Sequence, residues 1–139
     1  MIVDYNKALD DARFLFLRSE HHKNFDSNEI YSYLVLPCKK NAIRLYYREG
    51  KPIGLVTWCW LTPEKAKDFV NFECLLLESD YEKREGTELW GLDFITPYGD
   101  ARKVFSLIKE EYKNVYGEET KVKWRRAKDP LKVHERKLC

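Results

Sequence analysis

Apolar positions recur along this chain in two rhythms, and the switches between them mark out helices and strands. In 6–19, Ala8, Ala12, Phe14, Leu15 and Leu17 fall at roughly helical spacing, which predicts an amphipathic helix. The stretch 20–26 is polar and reads as a loop. Asp26 and Ser27 then offer N-caps to a second helix, about 27–36, which Pro37 is expected to stop. Next the rhythm shortens. Ala42 to Arg48 (AIRLYYR) and Ile53 to Leu61 (IGLVTWCWL) are rich in β-branched and aromatic residues and flank Glu49-Gly50-Lys51, which predicts a β-hairpin. Thr62 and Pro63 supply the cap and first position of a short helix. The run 88–96 (ELWGLDFIT) reads as a central strand interrupted by Gly91. After Pro97-Tyr98-Gly99-Asp100 a helix is expected over about 101–116, and weak strand character returns in 121–126 (KVKWRR).

The resulting order is helix, helix, hairpin, short helix, strand, glycine turn, helix, strand. That is an α+β pattern. No repeat, low-complexity tract or linker divides it, so residues 1–139 are read as one domain, with a basic C-terminal end from about 121. The 44% hydrophobic and 35% charged shares are those of a folded chain able to bury a core without disulfides. Acidic residues lie early in the N-terminal stretch and no window approaches the length of a bilayer span, so neither a signal peptide nor a membrane helix is expected. Cys38, Cys59, Cys74 and Cys139 are widely spaced, with no C-x-x-C pair or matching histidines. Reduced thiols in a cytoplasmic protein are the expectation, with no metal site.

The net charge of +2 is unevenly placed: 121–139 is formally +6 and the rest about −4. Such an end is either a solvated terminus or a docking surface for an acidic protein, a nucleic acid or a membrane.

Few residues stand out as chemistry. His21 and His22 sit together in the polar loop SEHHKNF, where an imidazole is either solvent-facing or a base for an amine or nucleophile. His134, in the basic end, is read as surface. Asp93 lies inside the hydrophobic run LWGLDFI. Either it faces outward by alternation, or it is buried, which requires a partner, and an imidazole would be oriented by it. Asp100 heads a helix, where capping accounts for it. A strand, glycine turn and helix in succession is also how acyl-CoA N-acyltransferases present backbone N–H groups to a phosphate-bearing donor. There is no phosphate-cradling Gly-rich motif, and no cysteine or serine lies in a recognisable nucleophile elbow.

Four collinear segments carry a resemblance. Leu92-Asp93-Phe94-Ile95-Thr96-Pro97-Tyr98-Gly99-Asp100 resembles the I-D-W-I-A-P-F-G-D segment of the RTX toxin-activating lysine acyltransferases, the hemolysin-activating protein C type. Ser19-Glu20-His21-His22-Lys23-Asn24-Phe25 is similar to that family's S-x-x-H-R-x-W, Val35-Leu36-Pro37-Cys38 to its V-L-P-A, and Pro52-Ile53-Gly54 through Thr57-Trp58 to its P-[IV]-A-x-x-S-W. The resemblance covers about 12–115. Departures are the extra His21, the phenylalanine and tyrosine at Phe94 and Tyr98, and a short basic end that matches little beyond Trp124-Arg125-Arg126.

The resemblance implies a GNAT-like fold, with a mixed, mainly antiparallel central sheet flanked by helices. It implies transfer of a fatty-acyl group from acyl carrier protein to a lysine ε-amine of a protein substrate, with no permanently bound cofactor. The family's catalytic histidine falls on His22, its aspartate on Asp93 and its nearby serine on Ser19. Backbone groups at Phe94, Ile95 and Thr96, with the turn at Gly99, would face the donor thioester. Monomer and homodimer both remain open. Two other readings are carried forward: a GNAT enzyme using acyl-CoA on another amine, and a non-catalytic GNAT-like domain whose basic end binds nucleic acid, the latter least favoured.

Overall fold

The computed structural model describes residues 4–71, 75–126 and 129–137. Helix α1 (Tyr5–Phe16) is capped by Asp4, whose side chain accepts from the Lys7 N–H, and buries Ala8, Ala12, Leu15 and Phe16 along one stripe. After a turn the chain re-enters helix at α2 (Ser27–Ile30), fixed by a reciprocal capping box between Asp26 and Glu29. Strands β1 (Ile43–Arg48) and β2 (Lys51–Leu61) form the expected hairpin. Its two-residue turn has positive φ at both Glu49 (51°) and Gly50 (79°), the geometry that matches strand twist. Helix α4 (Pro63–Val70), β3 (Glu88–Ile95) and α5 (Ala101–Tyr116) follow, and β4 (Lys121–Arg126) and β5 (Asp129–Lys137) close the fold.

Two features differ from the sequence expectation. Pro37 does not stop the second helix. A π-helical turn (Tyr31–Val35) leads into α3 (Leu36–Lys39), and the Leu36 N–H bonds back to the Tyr31 carbonyl. The wider turn shifts the hydrogen-bond register just where proline has no donor, and Pro37 sits in the first turn of α3, where none is needed. The second difference is β5, whose charge-dominated sequence gives no strand rhythm. It is an edge strand, and edges tolerate charge.

The five strands lie in the order β1-β2-β3-β4-β5, antiparallel except for the β3–β4 pair. This is a mixed α+β architecture, consistent with a GNAT-like fold. Strand β2 is buried from Pro52 to Leu61 because helices cover both faces of the sheet there. On one face Leu55 packs with Ala12, Leu15 and Phe16 of α1 and Leu34 and Cys38 of the second helical segment. On the other, Trp58 and Trp60 meet Tyr112 and Tyr116 of α5 edge-on, at 5.1 and 5.0 Å between ring centres.

The close seat of α5 depends on Gly54. A Cβ there would stand 2.9 Å from the Val104 Cγ2 methyl and 3.2 Å from that of Thr96. Gly54→Ala is therefore expected to destabilise the protein by roughly 1–3 kcal/mol through overpacking. Urea unfolding should show a lower midpoint with an unchanged m-value.

Two irregularities of β3 shape everything that follows. Val56 pairs with Phe94 but Trp58 with Gly91, so Leu92 and Asp93 together oppose Thr57 in a β-bulge. In addition, β3 and β4 pair only at Leu89–Val122 and Trp90–Lys123 and part beyond them.

Candidate functional site

The turn after α1 is wound tightly enough to bring Ser19 under His22. The Ser19 carbonyl accepts from the His22 N–H (3.1 Å) and the Lys23 N–H (2.9 Å), so the serine and histidine side chains, three residues apart, leave on the same side. Ser19 Oγ lies 2.5 Å from His22 Nδ1. The imidazole is only 7% exposed, held between the rings of Phe16 and Phe25 at 4.9 and 5.1 Å. Its other nitrogen, Nε2, lies 2.5 Å from Asp93 Oδ1.

Asp93 is thus the inward, partnered acid of the two alternatives, with an 11% exposed side chain. The bulge is the physical reason. It breaks the alternation of β3 and turns the carboxylate toward the α1 face. Thr57, to which sequence reasoning gave no role, completes the arrangement. Its Oγ1 accepts from the Asp93 N–H (3.1 Å), a donor the bulge takes out of the ladder, and its hydroxyl lies 3.4 Å from Asp93 Oδ2. A hydroxyl set in the apolar run LVTWCW was the available signal.

These residues line a cavity of about 1020 Å³, which is at the upper end of the roughly 300–1,000 Å³ usual for drug-sized ligands. The cavity extends to both faces of the sheet through the parting of β3 and β4. Phe25, Tyr33 and the histidines line it on the α1 side, and Phe105, Ile108 and Tyr112 of α5 on the other. Its walls are mostly apolar.

Of the donor-facing residues expected from sequence, Phe94 lines the cavity, whereas Ile95, Thr96 and Gly99 stand outside its wall. Ile95 is buried in the core beneath α1, Thr96 packs on Gly54, and Gly99 makes the turn into α5 at φ 86°. Asp100 stands immediately before the first residue of that helix, yet its side chain caps nothing. Instead Oδ1 accepts from Arg48 Nη1 at 2.7 Å.

His21 sits exposed at the cavity mouth, its ring 4.8 Å from that of His22. Partial burial, with a smaller contribution from the adjacent His22 ring, pushes its pKa below the usual histidine value. His134 is half-buried, stacked on Trp124 at 5.5 Å. Burial pushes the Cys38 thiol up to about 11 and that of Cys59 well above its usual range, so neither supplies a thiolate. Cys74 and Cys139 lie outside the described residues.

The model of the HlyC family of RTX toxin acyltransferases matches residues 1–137. The chain belongs to the RTX toxin acyltransferase family.

Among relatives in this family, the protein-lysine myristoyltransferase RtxC of Kingella kingae is 29% identical over 75% of this chain and 65% of its own length. The protein-lysine myristoyltransferase HlyC of Escherichia coli is 24% identical over 79% of this chain and 64% of its own length. An uncharacterised Synechocystis protein is 27% identical over 74% of this chain and 70% of its own length. The matches thus span between 64% and 70% of these relatives' own lengths. Among the described residues no helix is long and apolar enough to cross a membrane.

Much of the family member's basic end is occupied internally. Lys123 pairs with Glu88 (2.7 Å), Lys121 and Lys123 both approach Glu135, and Arg125 donates to the Phe69 and Val70 carbonyls at the end of α4. Lys128 lies outside the described residues.

Proposed function

We propose that this chain moves a long fatty-acyl group from acyl carrier protein to the ε-amine of a lysine in a protein substrate, with Ser19, His22 and Asp93 handling the proton. The observation that carries the reading is one unbroken hydrogen-bonded row, Ser19–His22–Asp93, opening on a large apolar cavity.

The reaction forms a C–N bond and breaks the thioester C–S bond. An ammonium must lose one proton before it attacks and the amide nitrogen a second one afterwards. The thiolate leaving group takes one of these and solvent receives the other.

Both nitrogens of His22 are engaged, which dictates the route. The amine hydrogen-bonds to Ser19 Oγ, the serine proton passes to Nδ1, and Asp93 holds Nε2–H and balances the imidazolium that forms. Acylation of His22 itself would require displacing Ser19 or Asp93 from the ring, so direct transfer to the amine is favoured.

Where β3 leaves β4, the backbone N–H groups between Gly91 and Ile95 that point away from β2 have no strand partner on that side among the described residues. They are available to polarise the thioester carbonyl. A cavity of this size with aromatic walls suits a long acyl chain better than an acetyl group. Glu29 and Asp93 on the α1 side suit a cationic lysine.

One observation favours carrier protein over CoA. The helix terminus at which a pyrophosphate would sit holds Asp100, a carboxylate already paired with Arg48. A cytoplasmic site of action goes with a carrier-protein donor, and the free thiols of Cys38 and Cys59 support that reading. The internally paired lysines argue against a nucleic-acid role.

The test is to incubate the protein with acyl carrier proteins loaded with chains of different length, or with the matching acyl-CoA, and a mixture of lysine-bearing proteins. Intact-mass spectrometry is expected to show acyl-lysine from long-chain carrier-protein donors at least about tenfold faster than from CoA, the ratio expected if one favourable contact distinguishes them. No transfer from any donor ends the proposal.

A further inference from the structure

Charge is unevenly shared between the two faces of the cavity: its acids lie on the α1 side, where Arg125 also reaches the wall and is held by the Phe69 and Val70 carbonyls. Asp93 and Glu29 lie on the α1 side, whereas Lys109 of α5 and Arg136 of β5 line the opposite side. Arg136 faces α5, its guanidinium 5.5 Å from the centre of the Phe105 ring. Phe105 in turn meets Phe94, the residue after Asp93, edge-on at 6.4 Å. A continuous aromatic wall therefore leads from the acid of the proton row to a cation at the far rim.

Among the described residues, these two cations differ from the neighbouring lysines of β4 in having no carboxylate in ion-pair contact. Lys121 and Lys123 pair with Glu135 and Glu88, and Arg44 with Glu111. Among the described residues no acid lies within ion-pair distance of Lys109 or Arg136. Arg136 lies over the Phe105 ring and Lys109 is half-buried in the mostly apolar wall, an arrangement suited to an anion that arrives with an apolar body. A thioester donor of this kind has one such anion, the phosphate at the head of its phosphopantetheine arm. Guanidinium and ammonium groups both recognise phosphate well.

We infer that Lys109 and Arg136 bind the phosphate of the donor's phosphopantetheine arm, so that the donor enters between α5 and β5 and the lysine arrives from the His21 side. This rests on the thioester-donor reading above, and it goes further by fixing the entry face and the residues that recognise the arm. The carrier protein then docks outside α5 and β5, and the acyl chain and thioester reach the proton row through the parting of β3 and β4.

The test compares phosphopantetheine with pantetheine, which lacks only the phosphate, by calorimetric titration of the whole chain and of a Lys109→Ala/Arg136→Ala double variant. Because Lys109 is half-buried and Arg136 exposed, the variant is expected to keep its melting temperature. The native chain should bind phosphopantetheine at least about tenfold more tightly than pantetheine, and the variant should bind both equally weakly, as charge-assisted contacts to an anion predict. Equal affinities in the native chain, or a preference that survives in the variant, would overturn the inference.

Activity provides an independent readout. The variant should show a raised KM for acyl carrier protein with kcat retained, and native rates with an acyl-N-acetylcysteamine thioester, which has no phosphate. Equal losses with both donors would make the residues structural and sink the idea. A phosphate preference without any acyl transfer would instead leave this site standing and remove the enzyme reading. CoA that binds more tightly than holo-carrier protein, with the same loss in the variant, would assign the phosphate to CoA and overturn the carrier-protein source.

Discussion

His22→Gln is expected to lower kcat for acyl transfer by about 10²–10⁴-fold, the range associated with a positioned acid–base group, while the protein remains folded. Glutamine can fill the space between Phe16 and Phe25 and still donate to Asp93, so the buried carboxylate keeps a partner. What it cannot do is accept a proton from Ser19. The measurement is single-turnover transfer from saturating acyl carrier protein, beside a thermal melt that shows the fold is intact.

His21→Gln supplies the internal comparison. His21 lies on the cavity wall but outside the hydrogen-bonded row, and its change should cost less than about tenfold, well below the range of an acid–base residue. Full activity in His22→Gln, or equal losses at the two histidines, would end the assignment of His22.

The contrast between neighbouring histidines shows what local sequence can convey. Ser19 and His22 are three residues apart in a tight turn, so their meeting, which only the resemblance implied, is a short-range consequence of backbone winding. The hairpin was legible for the same reason: Glu49-Gly50 can adopt the two positive φ values that a short turn needs. Helix α5 was legible to its ends because Asp100 and Gly117 bracket a regular apolar stripe of Val104, Ile108 and Tyr112.

The meeting of His22 and Asp93 is of another kind. They are 71 residues apart, and no periodicity in either segment predicts it. From alternation alone Asp93 faced either inward or outward. The outcome depends on a bulge opposite Thr57, and a bulge is a property of two strands in register. The resemblance to known acyltransferases singled out both residues but gave no role to Thr57, which lies in one of the matched segments and whose hydroxyl satisfies the backbone donor that the bulge exposes.

Other misses have the same origin. Asp100 matches the local pattern of a cap, yet Arg48, brought in by the β1–β2 hairpin, takes its carboxylate. The 121–139 segment reads as a block of positive charge, yet Glu88 and Glu135 neutralise part of it once the strands pair. Strand β5 carries almost no local signal, because an edge strand is held by its ladder to β4 rather than by an apolar face.

Asp93→Asn tests the far end of the row. The amide has nearly the shape of the carboxylate, so the bonds with Thr57 can persist and the bulge need not move. Its chemistry differs in one decisive respect. If the amide NH₂ turns toward His22 it donates to Nε2, and the ring must then carry its proton on Nδ1. In that tautomer Nδ1 donates to Ser19 Oγ and has no lone pair for the serine proton. If the amide oxygen turns toward the ring instead, the tautomer is right but the negative charge that balances the imidazolium is gone. Either way kcat is expected to fall by about 10²–10⁴-fold, as it does when the acid of a Ser-His-Asp row is made neutral. KM for the donor should hold, because Lys109, Arg136 and the apolar walls are untouched. A variant that kept its kcat while losing thermal stability would show that Asp93 serves only to satisfy a buried imidazole, and would confine the proton chemistry to Ser19 and His22.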